Sequence, residues 1–92
     1  MEAAVTKCSI YLLIMALEVG SEMRRARAER VVREAATDTV EAMIRLGWHQ
    51  SSDVLDESDA ILVTEDQLGD PDYEVAVTRT CAGLIVWTML RV

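Results

Sequence analysis

Apolar residues recur at three- and four-residue steps through the middle of the chain. Ala28, Val31, Val32, Ala35, Thr39, Ala42, Met43 and Leu46 form one stripe at the period of an amphipathic helix. Ser21 is a good N-cap residue, Glu22 places a negative charge in the first turn, and Gly47 follows the last apolar position, so the pattern predicts a helix over Glu22–Gly47. In its second half Ala36, Val40 and Ile44 fall outside the stripe, and the apolar arc widens. A wider arc needs a second neighbour, either another element of the chain or another subunit. The second option makes Val40, Met43, Ile44 and Trp48 the expected oligomer interface.

The flanking segments carry weaker periodicity. Ala3–Val19 is apolar all round; Leu, Met and Ala at 12–17 favour a buried helix closed by Gly20, although Val5, Ile10 and Tyr11 would suit a strand. As a helix it forms an αα-hairpin with the next element across Gly20–Ser21. Ala60–Thr64 reads as a short buried strand and Glu74–Thr80 as an alternating, half-exposed one, joined by a long loop over Glu65–Tyr73 that contains Gly69 and Pro71. A competing reading is helical, with Asp56 and Asp70 as N-caps, Pro71 at a first helical position and Gly69 closing the earlier helix. Ala82–Val92 is a closing helix or a last strand, and Gln50–Asp59 is polar enough for a solvated loop. The expected fold is therefore α+β: an N-terminal antiparallel αα-hairpin packed on a small β-hairpin, with a C-terminal helix or strand. The alternative is an all-α bundle.

Composition adds two points. At 92 residues the chain is long enough for one domain, 1–92, yet 51% of it is hydrophobic and its mean hydropathy is positive. So small a domain has little interior to hide that load, which points to a homodimer or a stable heteromer. Charge is also segregated. Residues 1–47 balance seven bases against seven acids, whereas 48–92 hold Arg79 and Arg91 against nine acids, all between Asp53 and Glu74. One side of the molecule is electronegative, which attracts basic partners and repels phosphate backbones.

Candidate chemistry is sparse. Cys8 and Cys81 have neither CxxC spacing nor histidine ligands nearby, so two buried, reduced thiols are expected. His49, the one histidine, follows the main helix with no triad partner placed beside it and reads as a helix-end residue favoured by the dipole. Trp48 and Trp87 read as core anchors. The arginines at 24, 25, 27, 30 and 33 could face phosphate, but Arg25–Glu29, Glu29–Arg33, Arg30–Glu34 and Glu41–Arg45 are i,i+4 pairs that neutralise the face. Asp53, Asp56, Glu57 and Asp59 miss the spacing of a calcium loop, and Asp70, Asp72 and Glu74 have no base or nucleophile beside them. No catalytic, cofactor or metal site is expected. All seven of those carboxylates are expected instead to bind a basic protein partner.

No apolar run approaches the ~20 residues of a membrane-spanning helix, and the start lacks the basic region of a secretory signal, so a cytoplasmic location is expected. These features favour a small acidic interaction module, an adaptor, inhibitor or antitoxin-like subunit, over an enzyme. The runner-up is a DNA-binding regulator of helix-turn-helix or winged-helix layout, which the overall acidity disfavours.

Overall fold

The computed structural model describes residues 23–92. The described residues fold as α+β. A helix over 23–33 (α1) leads to β1 (Ala36–Thr37), α2 (Val40–Arg45), β2 (His49–Gln50), α3 (Glu57–Leu68), β3 (Tyr73–Thr80) and β4 (Gly83–Leu90). The four strands form one mixed sheet in the order β1-β3-β4-β2. Its centre is the antiparallel hairpin β3–β4, eight residues on each side, with Tyr73 opposite Leu90 and Thr80 opposite Gly83. β1 adds in parallel beside Thr78 and Arg79, and β2 adds antiparallel beside Trp87 and Thr88.

Alternation along the hairpin divides the core between the two faces of the sheet. On one face Val77, Leu84 and Val86 pack with Val32 of α1 and Ala60 of α3, extended by Val31, Ala35, Ile61, Val63 and Val75. On the other, Ile85 and Trp87 pack with Met43 of α2, extended by Val40, Trp48 and Ala76. Trp87 is wholly buried, as its anchor role requires, and its indole Nε1 donates to Thr78 Oγ1 at 2.8 Å, so the polar edge of the ring is not left unpaired.

The helix expected over Glu22–Gly47 is two helices among the described residues. The β-branched Thr37 and Thr39 flank Asp38, a run of poor helix formers whose side chains compete for the backbone. Asp38 Oδ1 accepts the Thr39 N–H at 2.8 Å, and Thr39 Oγ1 accepts the Ala42 N–H at 3.1 Å, which N-caps α2. Arg79 Nη2 donates to the Val32 carbonyl at 3.3 Å near the end of α1, a cation where the helix dipole favours one. Between them the chain passes the sheet edge as β1, so α1 and α2 lie on opposite faces. The widening arc is explained by that crossing. α2 closes as expected at Gly47, whose φ of +97° belongs to a left-handed cap. The Gly47 N–H donates to Ile44 O and the Trp48 N–H to Met43 O, both at 3.0 Å.

Ala60–Thr64, read as a strand, is the middle of α3. Asp56 caps that helix by accepting the Asp59 N–H at 2.8 Å, Glu57 and Asp59 lie in its first turn, and Gly69 closes it. These are the caps of the competing helical reading, and they override the β preference of Ile61 and Val63. Asp70 starts no second helix. Its Oδ1 accepts the Asp72 N–H at 2.9 Å in a turn that enters β3. Glu74–Thr80 is a strand as expected, but its hairpin partner is β4, the strand option for Ala82–Val92. The αα-hairpin expected from Ala3–Val19 lies outside the described residues.

Candidate interaction surfaces

The seven acidic residues expected to bind a partner, Asp53, Asp56, Glu57, Asp59, Asp70, Asp72 and Glu74, are all exposed. They do not form one patch. The first four surround the start of α3 and the last three follow its end, and a 12-residue helix holds the two groups about 18 Å apart. Asp56 and Asp70 also serve the fold, as N-cap and turn acceptor.

At the second group α1 supplies cations. Arg25 Nη1 lies 3.1 Å from Glu65 Oε1, the one ion pair among the described residues, so the i,i+4 pairs expected along α1 give way to a tie between helices. Arg24 Nη1 lies 2.8 Å from where a β-carbon on Gly69 would sit. It offers a positive charge to the end of α3, whose last turn has no basic residue of its own. Arg24, Leu62, Glu65, Asp66, Gly69, Asp70 and Pro71 line an open groove of about 650 Å³ there. These long-range pairings had no local signal in the sequence.

The expected oligomer interface is divided by the fold. Met43 is buried under Trp87, and Val40 and Trp48 are half-buried against the same cluster, so these three serve the core of the subunit. Ile44 is 57% exposed on α2, and Leu46, assigned from its spacing to the inner stripe, is 66% exposed at the C-terminal cap of that helix.

Three expectations are corrected. The segment Gln50–Asp59 is loop only in its middle: it begins at the end of β2, ends in the first turn of α3, and the stretch between is tied to the sheet at two points. Ser51 N–H donates to Val86 O at 2.9 Å, and Leu55 exchanges two bonds with Leu84. In the bend between them the Ser52 hydroxyl accepts the Val86 N–H at 2.9 Å and donates to Asp53 O at 2.8 Å. His49 belongs to β2, opposite Thr88, and is exposed at the sheet edge rather than at a helix end. Cys81 is exposed too, because the two-residue turn Cys81–Ala82 at the hairpin tip leaves a side chain nothing to pack on; Cys8 lies outside the described residues.

Among the described residues no three His, Cys, Asp or Glu side chains converge as metal ligands, and no helix is long and apolar enough to cross a membrane. The described helices are separated by strands, with no short turn joining any two of them as a helix-turn-helix requires. Compared with known proteins, the chain matches no family model, no curated protein and no solved structure.

Proposed function

We propose that this chain is a small, non-enzymatic protein-interaction module, an adaptor, inhibitor or antitoxin-like subunit. It captures a basic protein through the acidic segment 53–74 and associates with itself through the exposed apolar side of α2. The observation that carries the reading is charge segregation: seven exposed carboxylates are held at the two ends of α3 with no basic residue among them in sequence. Clustered surface carboxylates accelerate encounter with an arginine- or lysine-rich protein and orient it. Ile44, exposed on α2, and Leu46, exposed at its C-terminal cap, support the second half, since large exposed apolar side chains invite a partner.

The test is titration of a lysine-rich polypeptide into the full chain and into a D70N/D72N/E74Q variant. Asparagine at 70 keeps the turn acceptor, so folding is preserved. Each exposed pair lost is worth about 0.2–1 kcal/mol, and the variant binds about tenfold more weakly. Equal binding by both proteins removes this end of the segment from the interface.

A further inference from the structure

Among the described residues the sheet is closed along one edge and open along the other. Along β4 the outer edge is covered by β2, Ser51, the Ser52 hydroxyl and Leu55. Along β3, among the described residues, only Thr78 and Arg79 have strand partners in β1, so two of eight positions are paired. The direction of each backbone group follows from the ladder. Leu84 and Val86 bond toward the β2 side, so Ile85 and Trp87 bond toward β3, where they meet Thr78 and Ala76. The odd-numbered residues of β3 therefore turn their N–H and C=O groups outward. The Tyr73 N–H is held by Asp70 O, and Arg91 Nε reaches Tyr73 O at 3.3 Å. At the far end β1 engages Val77 O and Arg79. Between these limits the Val75 N–H, the Val75 C=O and the Val77 N–H have no partner among the described residues and form an open slot.

We infer that this slot takes an extended peptide segment from the partner as a further strand, one in which lysine or arginine alternates with apolar residues. The mode is strand addition, in which main-chain bonds hold the segment and alternate side chains are read. Charge complementarity names the occupant. Glu74 is exposed on the slot itself, and Asp72 and Asp70 are exposed just before it. Glu74 and Asp72 are two residues apart, the spacing of successive side chains on one face of a strand. Basic residues of the incoming segment lie on that face, and the residues between them fall beside half-buried Val75. The inference rests on the proposed function and gives the partner its conformation.

The experiment uses the full chain and an end-blocked hexapeptide of alternating arginine and valine, against the same peptide methylated at every backbone nitrogen. Both carry the same charge, and only the first can donate main-chain bonds. The unmodified peptide is expected to bind at least tenfold more tightly and to slow hydrogen exchange at Val75 and Val77. Val75→Pro, which removes an outward N–H and leaves the β3–β4 ladder intact, is expected to lose that preference. Equal binding of the two peptides overturns the slot while the charge-based reading stands, and failure of both to bind overturns that reading together with the slot. A Val75 amide already exchanging as slowly as that of Ala76 in the free chain overturns the slot whether or not Val75→Pro folds.

Discussion

At the scale of single residues, burial and hydrogen bonding fall out of step at Thr64. Its side chain is wholly buried in α3, yet among the described residues its hydroxyl has no hydrogen-bond partner. A buried hydroxyl left unpaired costs about 1–3 kcal/mol, whereas valine has the same shape and nothing to desolvate. Thr64→Val is therefore expected to raise stability by about 1 kcal/mol, read as a higher denaturation midpoint at an unchanged slope. Thr78 makes the opposite case. Its hydroxyl accepts the Trp87 indole N–H inside the core, and Thr78→Val strands that donor at a cost of about 1–3 kcal/mol. The two threonines share composition, burial and β-branching, and differ in whether a partner stands opposite. If Thr64→Val destabilises the fold, the hydroxyl is satisfied after all.

At the scale of elements, the hairpin tip is tightly constrained. The Thr80 hydroxyl accepts the N–H groups of Ala82 and Gly83, both at 3.1 Å, and donates to Gly83 O. Gly83 has φ +150°, and a β-carbon there would stand 2.7 Å from Leu55 O. Gly83→Ala must displace the backbone bridge from Leu55 to Leu84, and the expected loss is at least about 2 kcal/mol, measured by denaturation. Caps and alternation made part of this architecture legible: Gly47 as a helix end, Glu74–Thr80 as a strand and the α+β class. What failed did so for physical reasons. Leu62 is exposed and Thr64 buried on α3, an inversion of hydropathy that blurs the helical stripe and makes Ala60–Thr64 look like a strand. One continuous stripe from Ala28 to Leu46 concealed a crossing of the sheet, because Asp38 and Thr39 stop a helix through side-chain bonds that periodicity does not register. The acidic residues were legible as exposed charge, but their division between the two ends of α3 depended on that segment being a helix.

At the scale of the whole molecule, the net charge of −7 sets the two proposed contacts against each other. Self-association brings two copies of that charge together, while capture of a basic partner brings opposite charges together. Added salt screens both, with a Debye length falling from about 30 Å at 0.01 M to about 8 Å at 0.15 M. Over that range the dimer should strengthen and binding of the lysine-rich polypeptide should weaken. Ile44 and Leu46 alone fall far short of the roughly 800 Å² per partner of a standard interface, so the dimer is expected to be weak and concentration-dependent in light scattering. Ile44→Asp with Leu46→Asp, both at exposed positions, should leave a monomer at every salt concentration, with polypeptide binding retained. If that variant loses both activities, the α2 side and the acidic ends act as one surface; if its mass is unchanged, the dimer lies elsewhere and α2 is only a solvated helix.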